Sequence, residues 1–126
     1  MSDHEGAIWR RNWLALDDER IRHLDTWSGI LRQLERQPGW FDLTEQERDL
    51  AEQVSGLKVV DKRLRVIDRR LRRWLRVMPT GPVHDLTGVV ANLQVAERLL
   101  PPEESPIVHG LIARAVRDLS QIGQTG

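Results

Sequence analysis

Six cationic side chains recur every three or four residues between positions 58 and 76, and they have the clearest potential for chemistry in this sequence. They are Lys58, Lys62, Arg65, Arg69, Arg72 and Arg76. Steps of three and four residues place side chains on one face of a helix. The stretch holds nine basic and two acidic residues, a local charge of +7, in a chain whose formal net charge is zero. We call these six residues the basic ribbon, and it predicts an anionic partner.

An apolar seam with alternating steps of three and four residues runs along the opposite face of the same stretch. Its members are Leu57, Val60, Leu64, Ile67, Leu71, Trp74 and Met78. A heptad seam of this kind packs one helix against another. The ribbon should therefore point away from the packed side, where it is either an ordinary solvated face or a binding surface. An acidic protein surface, or the phosphates of a nucleic acid, would suit it as a partner.

Three of the five tryptophans fall outside the apolar patterns of the predicted helices. Trp9, Trp13 and Trp40 lie in the N-terminal segment or next to the Pro38-Gly39 turn. A large aromatic side chain is commonly covered either by its own fold or by a partner at an interface. We therefore take these three as candidate protein-interface residues. Trp27 and Trp74 sit at core spacing in their helices and are expected to pack internally.

The remaining polar residues do not form a recognisable catalytic or metal-binding pattern. The chain has no cysteine, which excludes disulfides, thiolate nucleophiles and cysteine-based metal sites. Glu19 and His23 are one helical turn apart, but such a pair is more often a surface contact than a ligand pair. His84-Asp85 resembles half of an acid-base pair, and its place beside Pro82 favours a helix start instead. We predict no enzyme activity, no metal and no cofactor.

Apolar periodicity and helix-capping residues predict an all-α protein. Thr44 and Glu47 have the spacing of a capping box and open the longest predicted helix, which runs to Pro79. Strand-like alternation is absent from the sequence. We expect helices over 17–37, 44–78, 82–100 and 106–122, preceded by a Trp-bearing arm or short helix over 1–16.

These elements predict a single domain over 1–126, folded as an antiparallel three- or four-helix bundle around the long central helix 44–78. That helix is longer than its neighbours, so a second copy could complete the bundle. No secretory signal and no membrane-length apolar run is visible, which makes the cytoplasm the expected location. We expect a helical adaptor or assembly subunit that binds a protein partner or self-associates. The alternative is a nucleic-acid-binding accessory subunit of a larger complex.

Overall fold

A computed structural model of the chain describes residues 3–79, 83 and 85–125, and this part of the chain is helical without any β-strand. Its five α-helices are α1 (Asp3–Glu35), α2 (Glu45–Ser55), α3 (Leu57–Arg76), α4 (Leu86–Leu99) and α5 (Pro106–Thr125), and a short 3₁₀ turn spans Trp40–Asp42. The prediction of an all-α protein is confirmed. The first residues of the predicted helix 82–100 lie partly outside the described residues.

One continuous helix replaces the predicted N-terminal arm and the separate helix 17–37. α1 extends over 33 residues, Asp3–Glu35. No proline or glycine lies between Gly6 and Gly29, so nothing in the sequence stops the helix there. Asp17 is the first residue of the predicted helix 17–37, but it lies in the interior of α1. Its buried carboxylate accepts a hydrogen bond from Arg20 Nε at 2.8 Å.

A single glycine divides the predicted helix 44–78 into two helices. Gly56 has φ 87°, a left-handed conformation that ends α2, and α3 begins at the next residue. α3 then ends at Arg76, two residues before the predicted limit. The predicted start is confirmed, because Thr44 and Glu47 form the capping box.

The chain divides into two compact units. The central unit is Leu16–Leu75, and the terminal unit combines Met1–Ala15 with Arg76–Gly126. α1 contributes to both units, since its first part belongs to the terminal unit and its remainder to the central unit.

The central unit has its own apolar core at the junction of α1, the 3₁₀ turn, α2 and α3. Leu34, Trp40 and Leu57 are its buried members. Partly buried residues that pack against them are Trp27, Ile30, Leu31, Leu43 and Ala51. The end of α1 thus meets the start of α3, and a groove along the rest of α3 is lined by Glu19 and His23 of α1. α3 therefore runs back along α1 in the antiparallel sense.

The terminal unit contains the hairpin of α4 and α5. A Cβ added to Gly123, near the end of α5, would lie 3.1 Å from the side chain of Leu86 at the start of α4, so the two helices are antiparallel. In the same unit, the buried Arg10 side chain donates from Nε to the side-chain oxygen of Asn92. Gly6 makes room for Arg10, because a Cβ there would lie 2.5 Å from its Nη1.

Candidate anion-binding surface on α3

The predicted seam of α3 is buried over most of its length. Its buried residues are Leu57, Val60, Leu64, Ile67 and Leu71. Trp74 near the end of the helix is half-buried, and so is Met78, which lies beyond the helix. Burial of this narrow seam leaves the opposite side of α3 to charged residues.

The basic ribbon lies on that opposite side. Lys62, Arg65, Arg69, Arg72 and Arg76 are exposed, and Lys58 is half-buried. Eighteen residues of α-helix span about 27 Å at 1.5 Å rise per residue. The structure therefore brings all six predicted cations together on one accessible face of a single helix.

Two ribbon cations form ion pairs with carboxylates of the central unit. Lys58 Nζ pairs with Asp49 of α2, and Arg65 pairs with Asp61 one helical turn earlier. The Lys58 pair crosses the Gly56 junction and links α2 to α3. Because these groups are solvent-exposed, each pair is expected to contribute no more than about 1 kcal/mol to folding.

The middle of the ribbon has less internal compensation. Arg69 and Arg72 donate from Nε to backbone carbonyl oxygens four residues earlier, each at 3.4 Å. With Lys62, they form no ion pair with any described carboxylate of the central unit. These guanidinium and ammonium groups are thus available to an external anion.

An open groove of about 630 Å³ lies beside the ribbon, between α1 and α3 of the central unit. We call it the α1–α3 groove, and its lining residues are Glu19, His23, Val59, Lys62, Arg63, Val66, Ile67 and Arg70. Arg70 is further held over the ring of Trp74, with its guanidinium carbon 5.6 Å from the ring centroid. The groove combines an apolar floor with cationic edges.

Val59 and Val66 of this groove are not among the candidate residues predicted from the sequence. They lie seven residues apart, next to the seam rather than in it, and both are exposed. Their spacing was a usable signal, since a second apolar line beside a heptad seam widens the face that can be covered. Their neighbours across the groove come from α1, whose position the sequence alone did not define.

The three tryptophans predicted at an interface lie in different environments. Trp13 and Trp40 are buried, and Trp40 belongs to the core of the central unit. Trp9 is half-buried, and its indole Nε1 has no hydrogen-bond partner among the described residues. Trp13 and Trp40 are thus covered within the chain, which is one of the two kinds of cover expected for these tryptophans.

The Glu19/His23 pair is the described arrangement closest to an acid-base or metal-binding pair. Glu19 Oε1 and His23 Nε2 are 3.6 Å apart on α1. Over the described residues, no group of three or more histidine, aspartate and glutamate side chains could hold a metal ion. His84 of the predicted His84-Asp85 pair lies outside the described residues. Asp85 instead caps α4, where its Oδ1 accepts from the backbone N–H of Gly88 at 2.8 Å.

No helix in the described ranges has both the length and the apolar character needed to cross a membrane. No protein-family model matches the sequence, and neither a curated protein nor a solved structure is found to be similar to this chain.

Proposed function

We propose that this chain is a non-enzymatic assembly subunit that binds an acidic protein surface through the basic ribbon of α3. The observation that carries the proposal is the exposure of the ribbon on a helix whose opposite face is buried. A bundle completed by a further copy or by another protein belongs to the same proposal. Trp9, Trp13 and Trp40 remain candidate interface residues within it, although Trp13 and Trp40 also support the fold.

Charge repulsion within the ribbon supports the binding of an external anionic partner. Like charges four residues apart destabilise a helix by about 0.2–0.5 kcal/mol per pair, and the ribbon contains three such pairs. These are Lys58/Lys62, Arg65/Arg69 and Arg72/Arg76. Asp49 and Asp61 relieve part of this repulsion, at one member of each of the first two pairs. Carboxylates of a partner would relieve the rest and convert an unfavourable term of the free chain into binding energy.

A nucleic acid is the second candidate partner, and the length of the ribbon favours it. A cationic face of about 27 Å can contact several successive phosphates of a backbone. Such contacts release condensed counterions, so binding would weaken steeply as salt increases. In this case the chain would serve as an accessory subunit of a nucleic-acid-containing complex.

Reversal of three ribbon charges tests both candidates. The variant replaces Arg65, Arg69 and Arg72 with Glu. The matched control replaces Arg36, Arg114 and Arg117 with Glu, because these arginines are also exposed, lie off the ribbon and give the same net charge. Binding to polyglutamate and to short single- and double-stranded RNA and DNA is measured at two salt concentrations by fluorescence anisotropy.

We expect the ribbon variant to lose binding and the control to retain most of it. Binding to polyglutamate without binding to nucleic acids supports the acidic protein partner, and the reverse supports the nucleic acid. For a nucleic acid, loss of three phosphate contacts should reduce the magnitude of the salt slope by about three. Equal effects of the two triple variants, or no binding to any probe at low salt, would reject the ribbon as a binding surface.

A further inference from the structure

One side of α2 carries exposed apolar residues. Leu50 and Val54, one turn apart, have 61% and 81% of their surface accessible. Glu47 lines the same cleft as these two residues, between α2 and the end of α1. We call Glu47, Leu50 and Val54 the α2 face. An apolar face of this exposure on a helix indicates a surface that is covered in an assembly.

α2 is also strongly acidic. It carries four carboxylates, Glu45, Glu47, Asp49 and Glu52, against the single cation Arg48. The helix is held in place by Ala51, which lines the same cleft and packs against the core formed by Leu34, Trp40 and Leu57. The α2 face is therefore presented on a fixed, negatively charged helix and needs little ordering before it binds.

The α1–α3 groove has the complementary character. Its exposed floor residues Val59 and Val66 have 54% and 41% of their surface accessible. Lys62, Arg63 and Arg70 surround them, and Glu19 is the single carboxylate among the lining residues. The α2 face, with two exposed apolar side chains and the carboxylate of Glu47, matches this groove in both hydrophobicity and charge.

We infer that the α1–α3 groove binds α2 of a second copy of this chain. The inference rests on the proposed function of an assembly subunit and names the partner chemistry of one surface. Val54 and Leu50 would cover Val59 and Val66, while Glu47, the carboxylate on the same side of α2, would approach the cations Lys62, Arg63 and Arg70. A single-stranded nucleic acid suits this groove less well, because its lining contains no tryptophan, tyrosine or phenylalanine on which successive bases could stack.

The geometry within one copy makes this association head-to-tail. The cleft beside the α2 face and the α1–α3 groove share no lining residue, so one copy can offer both surfaces at once. Contacts between two different surfaces are heterologous, and they generate rings or open chains of copies rather than a closed symmetric dimer. Carboxylate-to-cation attraction across the contact makes the association weaker at high salt.

Two variants that each block one surface test the inference by mixing. Val54→Lys removes an apolar contact of the α2 face and adds a charge that the groove repels. Val66→Lys replaces one of the two exposed valines on the floor of the groove with a long charged side chain and leaves α2 intact. Val77→Lys is the matched control, because Val77 is 67% exposed and lies outside both surfaces. Molar mass is measured by light scattering over a range of protein concentrations, with circular dichroism as a check of helix content.

We expect the wild type and Val77→Lys to gain mass with concentration and each blocked variant to be monomeric, with association weakened at least about tenfold. An equimolar mixture of the two blocked variants should form a dimer of two 14.6-kDa chains and no larger species, because one functional contact remains. Val54→Gln and Val66→Gln replace the lysine variants if these lose helix content.

Three outcomes would overturn the inference: a wild type that stays monomeric, a blocked variant that still associates alone, or a mixture that fails to dimerise. Association of Val54→Lys alone would indicate a symmetric contact that does not use α2. The ribbon-reversal experiment reports separately on the proposed function. A monomeric wild type that still binds polyglutamate through the ribbon would reject the inference about α2 and leave the assembly function standing.

Discussion

α3 and α5 are both 20 residues long, yet they use their apolar residues differently. The described part of α5 has no fully buried residue. Several of its apolar side chains are exposed instead, namely Ile107, Val108, Leu111 and Ile122. In α3, five apolar residues at heptad spacing are buried, and the ribbon occupies the opposite face.

The width of the apolar arc explains this difference. Steps of three and four residues keep the seam of α3 narrow, and one or two neighbouring helices can cover a narrow seam. In α5, apolar residues at 107, 108, 111, 112, 116, 119 and 122 spread over about half of the helix circumference. α4 packs along one side of that arc, and the other side stays exposed. The narrow seam of α3 therefore leaves room for a charged binding face and exposes only the two valines beside it, Val59 and Val66, whereas the wide arc of α5 leaves more apolar surface accessible.

Truncation of one apolar side chain in each helix provides the largest test of this comparison. Ile67→Ala removes a side chain that is 4% exposed in the α3 seam. We expect it to lower the free energy of unfolding by about 2–5 kcal/mol, because it leaves a cavity in packed surroundings. Leu111→Ala in the exposed arc of α5 should change stability by less than about 0.5 kcal/mol. Urea denaturation followed by circular dichroism measures both, and comparable losses would contradict the contrast.

The two glycines Gly56 and Gly110 provide a second, smaller contrast. Gly56 joins α2 to α3 at φ 87°, where an L residue is strained. Gly56→Ala should therefore destabilise the chain by about 1–2 kcal/mol. Gly110 lies within α5, and a Cβ there would meet nothing within 4 Å. Gly110→Ala should stabilise by about 0.5–1 kcal/mol through its better helix propensity. Equal effects in thermal unfolding would argue for a continuous helix through position 56.

Gly56 also shows where prediction from the sequence ended. The seam of α3 and the capping box at Thr44 were predictable, because periodicity and capping act within a few residues. A glycine at position 56 is a possible signal for a left-handed turn. Because the seam starts at the next residue, the pattern nevertheless predicted one helix over 44–78. The error at Asp17 was the opposite one, because a helix start was predicted where α1 continues. An aspartate can accept a hydrogen bond inside a helix as well as at its start.

The two candidate surfaces differ in the same way, because one depends on a local sequence pattern and the other on long-range packing. The basic ribbon follows from one helix and its spacing, so the sequence predicted all six members. The α1–α3 groove needs residues of two helices that are far apart in the chain, such as His23 and Val66. The burial of Trp13 and Trp40 likewise depends on tertiary packing, which a local pattern does not report.

Substitution of Thr44, the N-cap residue of α2, tests how this helix is stabilised. α2 has 11 residues and no fully buried one, so it depends more on its ends than α3 does. The backbone N–H of Glu47 donates to Thr44 Oγ1 at 3.2 Å. Thr44→Ala removes this acceptor and should lower the free energy of unfolding by about 1 kcal/mol. Thr44→Ser keeps the hydroxyl and should remain close to the wild type in the same urea titration. Equal losses for both variants would reject the capping role.

The smallest expected effect concerns the other hydrogen bond of this capping box and its pH dependence. The backbone N–H of Thr44 donates to Glu47 Oε1 at 3.1 Å, and this bond, with the one to the Thr44 side chain, lowers the pKa of Glu47 below its ordinary value of 4.5. A carboxyl with a lower pKa in the folded chain stabilises the fold fully above its unfolded pKa, and this stabilisation is lost as pH falls through its folded pKa. Glu47→Gln removes that ionisation.

We therefore expect the difference in unfolding free energy between wild type and Glu47→Gln to be constant above the ordinary Glu pKa of 4.5 and to shrink at lower pH. Urea titrations from neutral to acidic pH measure it. Glu45→Gln is the matched control, because it removes a carboxylate from the same first turn without touching Thr44. Identical pH profiles for the two variants would show that the α2 cap acts through the field of the helix end rather than through the hydrogen bond to Glu47.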